Sequence, residues 1–135
     1  MTKTKKTPDE KMDHSQLASR VTSDEKVRVH PAFKLAVNMS AHMLNAWLAT
    51  PESRSVGFKT PTDSESVGHR AGRRVVRLLT KREDQLTSGD LAHMRKVVGY
   101  IHRHVAQHPS GDITETPWRY SLMNWGHDPE HSPKK

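Results

Sequence analysis

The chain has 135 residues with 22 Lys and Arg against 15 Asp and Glu, which gives a formal net charge of +7, and 33% of its residues are hydrophobic. This size and composition predict one small domain with tails. The absence of cysteine excludes disulfides and thiolate metal sites. No run approaches the roughly 18 apolar residues of a membrane span, and the N-terminal stretch lacks the apolar region of a secretory signal. A cytoplasmic location is therefore expected.

The positive charge is concentrated in one part of the chain. Residues 66–104 contain nine basic and three acidic residues, a balance of +6, whereas the rest of the chain contributes only +1. A local basic surface attracts polyanions such as nucleic acid or anionic lipid. The alternative is a basic face that is simply solvated.

Both ends of the chain are polar and poor in apolar residues. Residues 1–28 cannot bury enough apolar area to offset the entropy of ordering, so we expect a disordered basic arm there. Residues 129–135 are expected to form a disordered tail. The predicted domain therefore spans residues 29–128.

The segment HPAFKLAVNMSAHMLNAWLAT, residues 30–50, predicts the first helix, with Pro31 near its start. It is apolar on two sides, which favours a central place in a helical core or in a homodimer. One side holds Phe33, Val37, Ser40, Leu44, Trp47 and Leu48, and the narrower side holds Leu35, Met39, Met43 and Ala46.

Residues 50–65 are rich in Pro, Ser, Thr and Gly and are predicted to be a loop. Within it, Ser55-Val56-Gly57 recurs eleven residues later as Ser66-Val67-Gly68, each followed by an aromatic and a basic residue. The recurrence is either coincidence or a pair of small-residue turns that bring backbone amides and a cation near an anion.

The stretch SVGHRAGRRVVRLL, residues 66–79, predicts a second helix with two distinct faces. Ser64 or Ser66 can cap it, with Glu65 near the positive end of its dipole. Four cations share a face opposite the apolar one, with Arg74 at its edge, and we call them the arginine stripe: Arg70, Arg73, Arg77 and Lys81. No acidic residue lies between Ser66 and Arg82, so repulsion along the stripe looks uncompensated. Arginine also suits bidentate contact with phosphate.

Two more helices complete an all-α prediction with three main helices and a short fourth. Residues 87–107 open with Thr87 and Asp90 at capping-box spacing and carry a clear apolar stripe. Pro117 begins the short C-terminal helix PWRYSLMNW, and Gly126 ends it. Its Trp118, Leu122 and Trp125 are expected to cover the edge of the core.

The chain lacks the motifs of common catalytic and nucleotide sites. It has no P-loop, no dinucleotide-binding glycine pattern after a strand, and no Gly-x-Ser-x-Gly elbow. The spacing of Gly68 and Gly72 in a helix indicates close helix packing. The run HRHVAQH places His104 and His108 four residues apart, but no HExxH accompanies them, so no metal site and no cofactor are expected.

Several strings together resemble an uncharacterised family of small bacterial and fungal proteins. They are VNMSAHMLNAWLATPESRSVGFK, ESVGHRAGRRVVRLL, DLAHMRKVVGYIHRH and WRYSLMNWGHDP, within about residues 28–128. The family is grouped as a domain of unknown function and commonly labelled DNA-binding. The resemblance implies a DNA-binding role but carries no catalytic residues with it.

The sequence predicts a nonenzymatic, nucleoid-associated DNA-binding protein with no catalytic residue. Ser66 and Gly68 are expected to form an anion-binding turn. The expected phosphate contacts are Arg70, Arg73, Arg74, Arg77, Lys81, Lys59, Lys96 and Arg103. A protein-interaction module whose basic stripe docks an acidic partner is the alternative, and an enzyme using the Ser/Gly turns and a histidine is a third hypothesis. A homodimer stays open.

Overall fold

The computed structural model of the protein describes residue 26 and the ranges 28–62 and 64–131. The predicted N-terminal arm, residues 1–28, lies outside these ranges except for residues 26 and 28. Residues 132–135 of the predicted tail also lie outside them.

All secondary structure in the described ranges is helical, which confirms the predicted all-α fold. None of these helices is both long enough and apolar enough to cross a membrane. Helical residues 28–36 form α1, followed by α2 (Ala41–Leu48), α3 (Pro51–Arg54), α4 (Val67–Thr80), a short 3-10 turn (Glu83–Gln85), α5 (Ser88–Val105) and α6 (Pro117–Asn124).

The first predicted helix is broken into α1 and α2 at residues 37–40, so the prediction of one continuous helix was wrong. The C-terminal segment stabilises the break. Asn38 Nδ2 donates to the Asp128 carbonyl at 3.0 Å, and the Asp128 backbone N–H donates to Asn38 Oδ1 at 2.8 Å. Ser40 then caps α2 by accepting a hydrogen bond from the Met43 backbone N–H at 3.1 Å.

The predicted loop 50–65 contains the short helix α3. Thr50 caps this helix, and Pro51 is its first residue. A buried polar network holds α2 and α3 on α6. Asn124 Oδ1 accepts from Trp47 Nε1 at 2.7 Å and from Ser53 Oγ at 2.5 Å, and Asn124 Nδ2 donates to the Ser53 carbonyl at 3.0 Å. Trp47 is half-buried, packs against the core, and is hydrogen-bonded to Asn124 of α6.

One aliphatic core lies between the helices, with α4 in contact with α2, α5 and α6. The predicted apolar faces of α4 and α5 point into it, and Trp125 closes one edge. The largest fully buried apolar side chains are Phe33, Leu44, Val75, Leu91, Met94, Val97, Ile101 and Leu122. The four from α5, Leu91, Met94, Val97 and Ile101, lie three or four residues apart, as an amphipathic helix requires.

The second apolar side of the first predicted helix does not lie inside this core. Leu35 is 84% exposed and Met43 is 41% exposed, whereas Met39 is buried. The interpretation that this segment is covered on both sides within one domain was therefore wrong. Because the chain bends at residues 37–40, only one side of each half faces the core.

Candidate nucleic-acid interface

Helix α4 carries the arginine stripe on the outside because its apolar residues occupy the opposite face. Val75 and Leu78 are buried, whereas Arg70, Arg73 and Arg77 are exposed. The helix begins after Ser66, which is the cap, and its last helical residue is Thr80. The predicted separation of faces is thus present along the whole of α4.

Glu65, just before α4, forms an ion pair with the first half of the stripe. Arg73 makes a bidentate contact with it, from Nε to Oε2 at 2.7 Å and from Nη2 to Oε1 at 2.7 Å. Arg70 Nε lies 3.8 Å from Glu65 Oε1. The hydrogen bond from Arg73, helped by His69 and opposed by partial burial, lowers the pKa of Glu65 to about 2. This carboxylate is therefore charged at neutral pH.

Asp90, in the first turn of α5, forms ion pairs with Arg74 and Lys81. Its oxygens lie 2.5 Å from Lys81 Nζ and 3.3 Å from Arg74 Nη2. Burial opposes its ionisation, but the hydrogen bonds from Lys81, the Thr87 backbone and Arg74 prevail and lower the pKa of Asp90 to about 2. Asp90 also completes the capping box with Thr87, as the spacing predicted.

The expectation of an uncompensated stripe therefore needs correction. No acid occurs between Ser66 and Arg82, but two carboxylates that flank this stretch in sequence reach its side chains in space. Glu65 is one residue outside the stretch, and Asp90 comes from the next main helix. Within the described ranges, Arg77 and Lys96 form no ion pair, so the compensation is partial.

A groove of about 310 Å³ runs between α4 and α5, and we call it the α4–α5 groove. Four of the predicted contact residues line it together, three from α4 and one from α5. No carboxylate is among the lining residues, which are Val67, Arg70, Ala71, Arg74, Arg77, His93 and Lys96. In the described part of the chain, this groove brings four of the predicted cations together, and no acidic residue lines it.

The other predicted cations lie elsewhere. Lys59 and Arg73 line a second hollow of about 340 Å³, the α3–α4 cleft, together with Arg54 and Glu65. Lys81 contacts Asp90 at the end of α4. Arg103 is exposed further along α5, with its guanidinium near Gly99. The structure thus divides the eight predicted contacts between two hollows and two separate positions.

His69 lies at the α3–α4 cleft and is bonded through both ring nitrogens. Nδ1 is hydrogen-bonded to Glu65, and Nε2 lies 2.7 Å from the Leu48 carbonyl oxygen. The side chain is buried. The contact with the Leu48 carbonyl ties the start of α4 to the end of α2. The enzyme hypothesis stays a hypothesis.

Ser66 and Gly68, the predicted anion-binding turn, are both buried. The Ser66 hydroxyl accepts from the His69 backbone N–H at 3.0 Å. A methyl group placed on Gly68 would lie 2.9 Å from Nε1 of the Trp125 indole. These contacts fit a cap and a close helix contact, and the anion-binding role of the turn stays a prediction.

Two of the three histidines of the run HRHVAQH, His104 and His108, make ring contacts with Trp118 of α6. His104 stacks on Tyr100 and Trp118, with ring centres 5.1 and 5.6 Å apart. Trp118 Nε1 donates to the His104 carbonyl at 2.9 Å. In the described ranges, no three His, Cys, Asp or Glu side chains are grouped as a metal ion would need.

His93 and Arg54 are among the lining residues that the sequence did not assign to the site. His93 lies three residues before Lys96 on α5, and that spacing places the two on one helical face, so the pattern could have indicated it. Arg54 lies in a segment predicted to be loop. It reaches the α3–α4 cleft only because α3 packs on α6, and no local pattern indicates that position.

The fold and the groove define the protein as a small all-α domain with a basic groove between two of its main helices. Residues 32–123 match the family described as "Protein of unknown function (DUF3140)". The chain belongs to this family, which confirms the resemblance to a domain family of unknown function. No curated protein and no solved structure matches the chain.

Proposed function

We propose that the protein is a nonenzymatic DNA-binding protein of the nucleoid that contacts the phosphate backbone through the α4–α5 groove. The observation that carries the proposal is the composition of the groove wall: Arg70, Arg74, Arg77 and Lys96 with no carboxylate among them. Duplex DNA carries one negative charge per about 1.7 Å of its axis, so a row of cations meets several phosphates at once.

The spacing along α4 supports this role. Arg70 and Arg74 are four residues apart and Arg77 is three further on, so their charges repel along one side of the helix. Glu65 relieves that repulsion at Arg70 and Asp90 relieves it at Arg74, whereas Arg77 has no carboxylate partner in the described ranges. A bound phosphate backbone would remove the remaining repulsion, and guanidinium groups bind phosphate oxygens in a bidentate manner.

The test is the salt dependence of binding to a mixed-sequence duplex, measured by fluorescence anisotropy. Four phosphate contacts predict a slope of log K against log salt of about −3 to −4. Arg77→Ala and Lys96→Ala should each flatten the slope by about one and weaken binding equally for unrelated sequences. Lys34→Ala, an exposed lysine on α1, is the matched control and should change neither quantity.

The same assay distinguishes other partners. Single-stranded DNA and RNA probes measure whether duplex is preferred. Unchanged duplex affinity in the triple variant Arg70→Ala, Arg74→Ala, Arg77→Ala, with helicity intact by circular dichroism, would overturn the proposal. Binding to an acidic polypeptide such as poly-glutamate, without binding to any nucleic acid, would show the groove to be a docking surface for an acidic protein.

A further inference from the structure

Helix α4 stands as a ridge between two basic hollows. One side of the helix lines the α4–α5 groove through Arg70, Arg74 and Arg77, and the other side lines the α3–α4 cleft through His69 and Arg73. Because a helix turns once in about 3.6 residues, these two sets lie on different sides of α4. Every exposed residue from 67 to 79 is an arginine, so the crest of the ridge is basic as well.

Two cations of the α3–α4 cleft come from outside α4, and tertiary contacts hold the backbone beside each of them. Arg54 follows Ser53, whose hydroxyl and carbonyl are both hydrogen-bonded to α6. Lys59 follows Phe58, whose carbonyl accepts a hydrogen bond from the Val67 backbone N–H at 2.8 Å. Arg54 and Lys59 themselves are exposed. The fold therefore places two accessible cations across the cleft from α4.

The charges of the cleft are only partly compensated. Of the described residues that line it, Glu65 alone is acidic. Glu65 is engaged by Arg73, through two hydrogen bonds of 2.7 Å, and by the ring of His69. Arg54 and Lys59 form no ion pair within the part of the chain that the structure describes. Each hollow beside α4 thus contains cations that no carboxylate offsets, which calls for an anion on both sides of one helix.

The major groove of duplex DNA offers this arrangement of anions. It is about 12 Å wide and is bordered by the phosphates of both strands. A helix with its side chains is about 10–12 Å across, so one helix fills the major groove and reaches both borders. The DNA minor groove, about 6 Å wide, is too narrow for a helix. A single strand has one row of phosphates and engages one hollow at a time.

We propose that α4 lies in the major groove of duplex DNA, with the α4–α5 groove binding phosphates of one strand and Arg54 and Lys59 binding phosphates of the other. This inference rests on the proposed function, because it places the same DNA on both sides of α4 instead of on one. Two observations carry it: the opposite sides of α4 line the two hollows, and each hollow contains cations without carboxylate partners in the described ranges.

The first experiment counts phosphate contacts by fluorescence anisotropy with a mixed-sequence duplex. Two contacts from the cleft, added to four from the α4–α5 groove, steepen the expected slope of log K against log salt to about −5. Arg54→Ala and Lys59→Ala, with helicity unchanged by circular dichroism, should each flatten the slope by about one and weaken binding about eightfold at about 0.1 M salt. Lys34→Ala, the exposed lysine on α1, is the control and should change neither quantity. A slope that neither cleft variant changes, while Arg77→Ala still flattens it, overturns the inference and leaves the proposed function intact.

A second measurement tests which groove of the DNA is occupied. It uses a duplex in which glucosylated 5-hydroxymethylcytosine replaces cytosine, because the sugar fills the major groove and leaves the phosphates unchanged. Binding should fall by about tenfold or more, since α4 can then no longer reach both strands. Netropsin, which occupies the minor groove, should not compete. Equal affinity for the plain and glucosylated duplexes, or competition by netropsin, overturns the major-groove position. Absence of binding to any duplex overturns the proposed function itself.

Discussion

Gly72 of α4 lies against the backbone of Asn124 in α6, with no room for a side chain between them. A methyl group placed on Gly72 would come within 2.2 Å of the Asn124 carbonyl oxygen and 2.9 Å of Leu48 Cδ2. The absence of a side chain at this one position lets α4, α6 and α2 meet. The spacing of Gly68 and Gly72 was interpreted from the sequence as close helix packing, and the contact at Gly72 is such a packing contact.

Gly72→Ala should therefore destabilise the domain by about 3 kcal/mol, because a backbone oxygen cannot move aside as a flexible side chain can. Chemical denaturation measures the change. Gly99→Ala in α5 is the matched control: its added methyl group would lie 3.1 Å from the mobile end of Arg103. Alanine is the better helix former, so this control should be neutral or stabilising by up to about 1 kcal/mol. Equal losses in both variants would contradict the packing argument.

Asp90 should make the stability of the protein depend on pH in the acidic range. Its pKa is lowered from 3.8 to about 2 in the folded protein, so the unfolded chain binds its proton first as the pH falls. This contribution is present above pH 4 and is lost as the pH falls towards 2. Allowing for solvent screening, it amounts to about 1–2 kcal/mol.

Thermal unfolding of wild type and Asp90→Asn at pH 7, 4 and 2.5 checks this expectation. The variant should be less stable at pH 7 and should lose less on acidification. Asp84→Asn, which changes an exposed carboxylate in the 3-10 turn, is the control and should follow the wild type. Parallel curves for wild type and Asp90→Asn would show that the contacts of Asp90 contribute nothing to stability.

Ser66→Ala tests whether the start of α4 binds an anion or only caps the helix. Its hydroxyl is buried and occupied by the His69 N–H, so we expect a loss of about 1 kcal/mol in stability. DNA affinity, corrected for the folded fraction, should stay unchanged. A fully folded variant with weakened binding would instead support the anion-binding turn formed with Gly68.

Local sequence signals determined most of the helices. The capping box of Thr87 and Asp90, Pro117 at the start of α6 and Gly126 after its end are interactions within one helical turn, so a short string of residues is enough to specify them. The apolar face of α4 and the arginine stripe opposite it also follow from periodicity alone.

Tertiary structure decided the break between α1 and α2 and the layout of the basic surface. The two hydrogen bonds between Asn38 and Asp128 join residues 90 apart, and no local pattern contains them. The packing of α4 against α5 likewise brought Asp90 to Arg74 and placed His93 among the cations. Amphipathic periodicity specifies which face of a helix is apolar, but the partner of each polar side chain depends on how the faces meet, because Coulomb and hydrogen-bond energies are set by distances in space.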